Sequence, residues 1–284
     1  MATPREILRK YGVRPRKRLG QSFLVEPNIA AGIVALSGIG PDDVVVEIGP
    51  GHGALTSIIV DKAKRVIAVE IDEQMADILR RELKDAPNLE VVRQDVLDYD
   101  FTAPLGNDPG RGRIQIIGNL PYSISSPILF RLMAFRDTIS SMTLMFQREV
   151  AERITAPPDT KEYGILAVMT AMYTITSRVM QVPASCFYPR PKVDSSVLKM
   201  EMRGTPLCAV RDSDRFLSVV RCAFAKRRKT LLNNLRSSDL FPGGREQVME
   251  VLCRTGIDGG RRGETLTVEE FARLSDALPE PQLS

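Results

Sequence analysis

The chain has 284 residues, 43% of them hydrophobic, which is enough for one sizeable core and a smaller second unit. It has no apolar run of membrane-spanning length, and its first residues lack the hydrophobic stretch of a signal peptide, so we expect a cytoplasmic protein that enters no membrane. The four cysteines lie far apart, and the single histidine, His52, has no metal-ligand partner at suitable spacing. We therefore expect reduced thiols, no metal, and a partly exposed loop position for His52.

Positive charge is concentrated at two places in the chain. The whole chain has a net charge of only +4, yet its first 20 residues hold seven basic residues and one acidic residue. A second basic run, Lys226-Arg227-Arg228-Lys229, lies near the other end and is called the helical basic cluster after the helical pattern of that region. Either group alone is typical of a solvated surface, but together they favour a polyanionic partner such as nucleic acid. The residues expected to contact phosphates are Arg14, Arg16, Lys17, Arg18, Lys226, Arg227, Arg228 and Lys229.

Strand-like and helix-like segments alternate between residues 43 and 202. β-Branched runs predict strands, whereas apolar residues at helical spacing predict a helix over Glu73–Lys84. This alternation predicts an α/β fold, a parallel sheet with helices on both faces. The predicted strands are Val44–Ile48, Val66–Val69, Leu89–Val92, Ile114–Ile117, Met142–Phe146 and a late strand Ser195–Met202, with a further helix over Ala54–Asp61.

The pattern changes near Gly204. Beyond this point apolar residues follow helical spacing only, as Phe216, Val219 and Ala223 do. We therefore predict three parts, namely a basic N-terminal arm over 1–20, an α/β domain over 21–204 and a small all-helical domain over 205–284.

A glycine-rich turn, residues 47–53, follows the first predicted strand. Its G-x-G-x-G spacing differs from the dinucleotide G-x-G-x-x-G, and its glycines let the backbone approach a ligand at the carboxyl edge of a parallel sheet. Glu70 ends the second strand, where a carboxylate can bind ribose hydroxyls, and Asp95 follows the third, where it can accept a bond from an adenine amine. The alternatives are a helix N-terminal charge for Glu70, a role that Asp72 fills more naturally, and turn capping for Asp95.

The segment Asn119-Leu120-Pro121-Tyr122 follows the fourth predicted strand. An Asn and a Tyr around Leu-Pro can hold the edge and the face of a flat ring that carries an amino group. This arrangement suits a reaction in which a group is transferred to that amine. The alternatives are a strand-end turn for Asn119 and core packing for Tyr122.

These strand-end residues together resemble class I S-adenosylmethionine-dependent methyltransferases that act on adenine N6. Further segments, in order along most of the chain, resemble more closely the bacterial small-subunit (16S) rRNA adenine N6,N6-dimethyltransferase family. The segments are Gly20-Gln21-Ser22-Phe23-Leu24, Asn119 to Pro127 (NLPYSISSP), Gln147 to Arg153 (QREVAER), Lys161-Glu162-Tyr163-Gly164 and Phe187 to Ser195 (FYPRPKVDS). The resemblance implies a Rossmann-like class I methyltransferase sheet and a helical C-terminal domain.

The resemblance also assigns roles to single residues. S-adenosylmethionine is the implied cofactor, the catalytic group comprises Asn119, Leu120, Tyr122 and Phe187, and the enzyme is expected to be monomeric and free of metal. The implied cofactor-binding residues are Ser22, Leu24, Gly49, Gly51, Glu70, Asp95 and Asn119. The implied substrate is small-subunit rRNA within immature 30S subunits, in which two adjacent adenosines of the 3′-terminal hairpin loop each receive two methyl groups during ribosome biogenesis.

The implied chemistry requires no general base. The Asn119 side-chain oxygen and the Leu120 backbone carbonyl accept the two N6 hydrogens and build electron density on the attacking nitrogen. Tyr122 stacks on one face of the unstacked base and Phe187 on the other. For Phe187 the alternative is core packing.

Three other functions remain as alternatives. A large-subunit (23S) rRNA adenine N6-methyltransferase is the alternative enzyme, from which the Asn-Leu-Pro-Tyr form, the Pro-Lys-Val-Asp-Ser segment and the helical C-terminal extension distinguish this chain. A non-catalytic RNA-binding assembly factor would not need Glu70, Asp95, Asn119 and Tyr122 together. A nicotinamide dehydrogenase fits the glycine-rich turn but leaves the Asn-Leu-Pro-Tyr segment unexplained.

Overall fold

The computed structural model describes residues 3–106 and 112–278, apart from the side chain of Lys17. The chain forms two compact units: the first comprises the residues up to Ala151 together with Thr176–Met202, and the second comprises Glu152–Ile175 together with the chain from Arg203 onward. In the described part, no helix is both long enough and apolar enough to span a bilayer.

A seven-stranded sheet organises the first unit. Its strand order is β4-β3-β2-β5-β6-β9-β7, and a separate two-stranded sheet pairs β1 with β8. The described strands are β1 Phe23–Leu24, β2 Val44–Ile48, β3 Arg65–Glu70, β4 Leu89–Arg93, β5 Ile114–Asn119, β6 Ile139–Gln147, β7 Thr174–Val182, β8 Phe187–Tyr188 and β9 Ser195–Met202.

The five strands from β4 to β6 run parallel, as the alternation in the sequence predicts. In β2 the neighbours Val45 and Val46 point to opposite faces, yet both are fully buried, so both faces of the sheet are covered. The late strand β9 has the predicted bounds, but it runs antiparallel to β6, with Leu144 opposite Leu198. The sheet is therefore mixed rather than wholly parallel, which corrects the prediction.

The helices of the described residues differ in how clearly the sequence marks them. The helix α4 follows the predicted apolar spacing and begins at its Asp72 cap, whereas α3 is only one turn long. The helix bounds are α1 Pro4–Lys10, α2 Pro27–Ser37, α3 Thr56–Ile59, α4 Glu73–Glu82, α5 Ser125–Ala134, α6 Arg148–Ile154, α7 Ile165–Tyr173, α8 Ser213–Ala223, α9 Leu231–Leu235, α10 Gly244–Thr255 and α11 Val268–Asp276.

The N-terminal arm is folded onto the first unit. Thr3 forms a capping box with Glu6 at the start of α1, and the apolar side of this helix is buried. Ile7 and Leu8 pack in a cluster with Met75 of α4. The arm is thus an amphipathic helix with a basic outer side, which the charge count alone did not predict.

The second unit is helical, but its boundaries differ from the predicted division. The segment Glu152–Ile175, which contains α7, belongs with the helices that follow Arg203. Helix α7 contacts α8 and α11, and its buried residues, such as the consecutive Ala167, Val168 and Met169, lie on several sides of it. A helix that is apolar all round gives no amphipathic signal in the sequence, so the prediction placed this segment in the α/β domain.

Candidate active site

A cleft lies at the carboxyl ends of β2, β3, β4 and β5, where ligands bind in sheets of this topology. The structure brings most of the predicted site residues together there. The predicted residues that line the cleft are Ser22, Leu24, Gly49, Gly51, Glu70, Asp95, Asn119, Leu120 and Tyr122. Phe187 is not among them.

The glycine-rich turn is held tightly against its neighbours. Gly49 and Gly51 have positive φ angles of 65° and 56°, which favour glycine. A Cβ atom on Gly51 would lie 2.9 Å from the Phe23 ring, so a larger residue does not fit there. The Gly51 N–H donates to Glu70 Oε2 at 3.1 Å. Gly51 is therefore needed for packing and for its hydrogen bond as well as for the approach of a ligand.

Glu70 ends β3 and is oriented by two backbone donors. Its Oε2 accepts the Gly51 N–H, and its Oε1 accepts the Asp72 N–H at 2.9 Å. The side chain is buried, and this burial raises the pKa of Glu70, although both hydrogen bonds favour the charged form. Each carboxylate oxygen keeps a further lone pair for a ribose hydroxyl. The geometry thus suits the role predicted for Glu70.

Asp72 links the N-terminal arm to this strand end. Its Oδ1 caps α4 by accepting the Gln74 N–H at 3.0 Å, as predicted, and also lies 3.0 Å from the Arg16 guanidinium. Its Oδ2 accepts a bond from Gln21 Nε2 at 2.7 Å. The sequence marks Asp72 as a cap, but nothing in it indicates these two distant partners, and the side chain has no exposed surface.

Asp95 and Ile71 line the cleft beyond Glu70. Asp95 Oδ1 accepts the Leu97 N–H at 2.9 Å, which is the turn-capping role considered as the alternative. Its Oδ2 accepts no hydrogen bond from another described residue and so remains available to a ligand. Ile71 is 49% exposed and offers an apolar surface to a flat ring. Sequence reasoning missed Ile71, whose only signal is its place directly after Glu70.

Asn119 ends β5 with its side-chain amide in a fixed orientation. Its Nδ2 donates to the Ser22 carbonyl at 2.9 Å, and its Oδ1 accepts no hydrogen bond from another described residue. The Leu120 carbonyl likewise has no donor among the described residues. The Tyr122 hydroxyl bonds to Ser195 Oγ at 2.7 Å, and burial raises the pKa of Tyr122. Two free acceptors and a half-buried aromatic ring therefore meet at this edge.

The β1–β8 pair places Phe187 in the core rather than at the cleft. Leu24 lies opposite Phe187 in this antiparallel pair, and Phe187 is 3% exposed within the cluster that also contains Leu24. The prediction that Phe187 faces the target base is therefore not met in this structure, because β1 covers the ring, and core packing, the stated alternative, describes it. The Ser22 hydroxyl donates to the Pro189 carbonyl at 2.8 Å, so it contacts protein.

The structure corrects the expectation for His52. The ring is buried rather than partly exposed, and it packs edge-on against Phe23 with 5.6 Å between ring centroids. Burial lowers the pKa of His52 to about 4, so the imidazole is neutral at physiological pH. His52 is thus part of the packing between β1 and the glycine-rich turn.

Glu47, the first residue of the glycine-rich turn, is a buried carboxyl that sequence reasoning did not single out. Burial raises the pKa of Glu47 to about 8, and the nearby Glu70 carboxylate reinforces this shift. Its Oε2 has no hydrogen-bond partner among the described residues. Strongly raised carboxyl pKa values are concentrated at functional sites, and Glu47 lines the cleft.

The predicted RNA-binding residues fall into two groups. Arg14, Arg18 and all four residues of the helical basic cluster are exposed, although the cluster lies in the turn between α8 and α9 rather than in a helix, and Arg227 donates to the Lys161 carbonyl at 2.6 Å. Arg16 is half-buried by its contacts with Asp72. The side chain of Lys17, which is predicted to contact RNA, lies outside the part of the chain that the structure describes. Among the described residues, no cluster of three potential ligands is placed to hold a metal ion.

Comparison with known proteins supports the family resemblance found in the sequence. The family model described as ribosomal RNA adenine dimethylase matches residues 12–279. The ribosomal RNA small subunit methyltransferase A of Pelotomaculum thermopropionicum is 45% identical over 98% of this chain and 96% of its own length. The protein of the same name from Shouchella clausii is 45% identical over 98% of this chain and 95% of its own length.

Solved structures agree in fold. A dimethyladenosine transferase from Plasmodium falciparum superposes with a TM-score of 0.75 at 26% identity, covering 89% of this chain and 95% of that one. The 23S rRNA methyltransferase ErmE gives a TM-score of 0.65 at 30% identity, covering 91% of this chain and all of that one. The fold, the strand-end residues and these matches lead to one conclusion: the chain belongs to the ribosomal RNA adenine dimethylase family.

Proposed function

We propose that this chain transfers methyl groups from S-adenosylmethionine to N6 of two adjacent adenosines, two groups to each, in the 3′-terminal hairpin loop of small-subunit rRNA. The substrate would be rRNA within immature 30S subunits, and the enzyme would act as a cytoplasmic monomer. The observation that carries the proposal is the fixed amide of Asn119, a residue that lines the same cleft as Glu70 and Asp95 and whose Oδ1 accepts no hydrogen bond from another described residue.

Overall identity favours the small subunit over the large one as the substrate. The relatives that are 45% identical over nearly the whole chain bear small-subunit names, whereas the 23S rRNA methyltransferase ErmE is 30% identical. All of them have enzyme names, and the strand-end residues of this chain are intact, which argues against a non-catalytic assembly factor.

The residues of the cleft fit S-adenosylmethionine. Glu70 is oriented to hold the ribose hydroxyls, Asp95 Oδ2 is free for the adenine amine, and Ile71 offers an apolar surface to the adenine ring. At Gly49 the absence of a side chain leaves backbone open to the methionine part. When bound, the cofactor supplies a methyl group already activated by its positively charged sulfur.

The chain's own contribution to the reaction is to prepare the target amine. The N6 lone pair is delocalised into the adenine ring, so the nitrogen must become pyramidal before it attacks. Asn119 Oδ1 and the Leu120 carbonyl would accept the two N6 hydrogens in that geometry and stabilise the positive charge that develops on nitrogen. No side chain has to remove a proton first, and alignment supplies much of the remaining acceleration.

Tyr122 would stack on the unstacked base. Its hydroxyl is held by Ser195, which limits rotation of the ring, and base–aromatic stacking contributes roughly 1–3 kcal/mol. A contribution from Phe187 would require β1 to move away from β8, since the ring is covered in this structure.

Exposed basic residues would hold the RNA backbone. Lys226, Arg228 and Lys229 of the helical basic cluster, with Arg14 and Arg18 of the arm, are exposed and positively charged. Contacts of this kind position an RNA without reading its sequence, and they weaken as salt rises.

The direct test is mass spectrometry of rRNA after incubation with protein and isotope-labelled cofactor. Immature 30S subunits that lack N6 methylation should gain two dimethyladenosines at adjacent positions in the 3′-terminal hairpin, while free 23S rRNA should gain none. Labelling of the 23S rRNA alone would overturn the proposed substrate. Labelling of neither RNA would overturn the proposed enzymatic function.

The Asn119→Ala variant tests the mechanism within the same assay. It removes one acceptor but leaves Glu70 and Asp95 in place, so calorimetry should give nearly unchanged affinity for S-adenosylmethionine. Turnover should fall by about a hundredfold, the usual scale for losing one preorganised hydrogen-bonding group that acts on developing charge. Methyl transfer at the wild-type rate would refute the role of Asn119.

A further inference from the structure

The Asn119 amide is held from a distant part of the chain. Its Nδ2 donates to the backbone carbonyl of Ser22, 97 residues earlier, at 2.9 Å. This contact joins the carboxyl end of β5 to the residue directly before β1. It therefore connects the proposed hydrogen-bond acceptor for the target amine to an element outside the main sheet.

The contact selects one of the two orientations of the amide. A planar carboxamide has a donor end and an acceptor end, and a half-turn exchanges them. A backbone carbonyl only accepts hydrogen bonds, so it pairs with Nδ2 and not with Oδ1. In the flipped orientation two oxygens would meet at Ser22, and Nδ2 would present its hydrogens to an amine that is itself a donor.

The position of the Ser22 carbonyl is fixed on both sides. The Ser22 hydroxyl donates to the Pro189 carbonyl at 2.8 Å, across the chain from the Asn119 contact. The next two residues form β1, in which Phe23 lies opposite Tyr188. Phe23 also packs on His52 of the glycine-rich turn. The carbonyl thus belongs to a segment anchored to two parts of the first unit.

We propose that Ser22 is a positioning residue for methyl transfer: its hydroxyl anchors the start of β1 to Pro189, and its carbonyl holds the Asn119 amide with Oδ1 towards the target amine. The inference rests on the proposed function in that Asn119 accepts an N6 hydrogen. It goes beyond that function because it gives Ser22 a role that needs no contact with the cofactor.

Substitution of the Ser22 hydroxyl separates positioning from cofactor binding. Ser22→Ala removes the anchor to Pro189, and we expect kcat to fall five- to tenfold while the Kd for S-adenosylmethionine and the binding stoichiometry stay within twofold of wild type. Ser22→Thr keeps the hydroxyl and should restore kcat to within twofold. A structural role alone would lower the stoichiometry of binding together with kcat.

Ser140→Ala is the matched control. Ser140 also donates its hydroxyl to a backbone carbonyl, that of Ile114, at 3.1 Å, and is similarly half-buried. It lies at the amino ends of β5 and β6, away from the cleft. Removal of the Ser140 hydroxyl should leave kcat unchanged. Equal kcat values for Ser22→Ala and Ser140→Ala would overturn the proposal.

A double-mutant cycle identifies the residue through which Ser22 acts. If Ser22 serves only to orient Asn119, then adding Ser22→Ala to Asn119→Ala should change the single-turnover rate by less than twofold. A further five- to tenfold loss in the double variant would mean that Ser22 acts on something other than Asn119, which contradicts the inference.

NMR tests the contact without any reaction. In the 15N-labelled protein without cofactor, the Asn119 side-chain amide, assigned by its absence in Asn119→Ala, should show one hydrogen protected from solvent exchange. This protection should weaken in Ser22→Ala, which keeps the carbonyl but loses its anchor to Pro189, and should be unchanged in Ser140→Ala. An unprotected amide in the wild-type protein would overturn the inference even if the enzyme methylates rRNA. Protection in a wild-type protein that transfers no methyl group to rRNA would instead place the failure in the proposed function.

Discussion

The two basic regions of this chain use their positive charge in different ways. In the N-terminal arm, Arg16 is half-buried against Asp72, and Lys10 pairs with Glu82 at 2.6 Å. In the helical basic cluster, by contrast, the side chains of Lys226 and Arg228 are exposed and make no hydrogen bond or ion pair with another described residue. A basic side chain buried beside an acidic partner contributes to the fold, whereas an exposed basic side chain remains available to a polyanion.

This difference has a consequence for the cleft. Because Asp72 also donates its N–H to Glu70, the arm is connected to the residue that is to hold the ribose. Changes at the buried contact between Arg16 and Asp72 should therefore alter stability and cofactor affinity, while changes in the helical basic cluster should alter only RNA binding. Three substitution experiments test this contrast, and a fourth tests the burial of His52 at the same cleft.

The largest effect on stability is expected from Asp72→Ala. The change leaves Arg16 without its acidic partner, removes a bond from Gln21 and uncaps α4, so we expect a loss of about 3–5 kcal/mol in the free energy of unfolding. Affinity for S-adenosylmethionine should fall as well. Urea unfolding followed by circular dichroism gives the first quantity and calorimetry the second.

The control for this variant is Asp77→Ala, which removes an exposed ion pair with Arg80. It should cost less than about 0.5 kcal/mol. If the two alanine variants were equally stable, the view of Asp72 as the link between arm and cleft would be wrong.

The next effect concerns pH and His52. In the unfolded chain His52 takes up a proton near pH 6.5, whereas burial lowers the pKa of His52 in the folded protein to about 4. Its contribution to stability is therefore complete above pH 6.5 and falls by up to about 3 kcal/mol as the pH drops towards 4. His52→Gln cannot titrate, so the stability difference between wild type and variant should change across this range. A difference that is constant from pH 7 to pH 4 would contradict the burial of His52.

A smaller effect is expected from Arg16→Ala. It removes charged hydrogen bonds to Asp72 and Gln74 and should cost about 2 kcal/mol, with faster proteolysis of the arm. Arg14→Ala, on the same arm but exposed, should stay within about 0.5 kcal/mol of wild type. Equal loss in both variants would show that the two arginines do not differ as the structure indicates.

The smallest effect on stability is expected from reversing charge in the helical basic cluster. Lys226→Glu with Arg228→Glu should leave unfolding unchanged. The dependence of log K for RNA binding on log salt should flatten by about 0.7–0.9 for each phosphate that the cluster no longer neutralises. Charge reversal at Lys62 and Lys64 is the control. These exposed residues directly precede β3, at the amino ends of the strands and away from the cleft, so their reversal should leave the salt dependence of RNA binding unchanged. Equal slopes for both double variants would remove the cluster from the RNA interface.

Much of the site was predictable because it depends on local pattern and on one topological rule. Glu70, Asp95 and Asn119 each lie at or just after the end of an apolar strand, and parallel strands end at a common edge. The bounds of β2 and β9 agree with the predicted ones. These features need only the residues of one segment at a time.

Contacts between distant segments were not predictable in this way. The exposed position expected for His52 and the base-facing position expected for Phe187 are both replaced by burial, because β1 packs on the glycine-rich turn and pairs with β8. Helix α7 gave no signal because it is apolar on several sides, and β9 runs antiparallel although its sequence does not mark a direction.

Local patterns were sufficient to predict the α/β alternation, the helical C-terminal region, the strand-end carboxylates and the resemblance to the family. Long-range packing, by contrast, set which basic residues are free, which aromatic rings are covered, and which way the Asn119 amide faces. The physical reason is the same in each case. Periodicity and capping are properties of neighbouring residues, whereas burial and hydrogen-bond partnership depend on chain segments as far apart as Ser22 and Asn119.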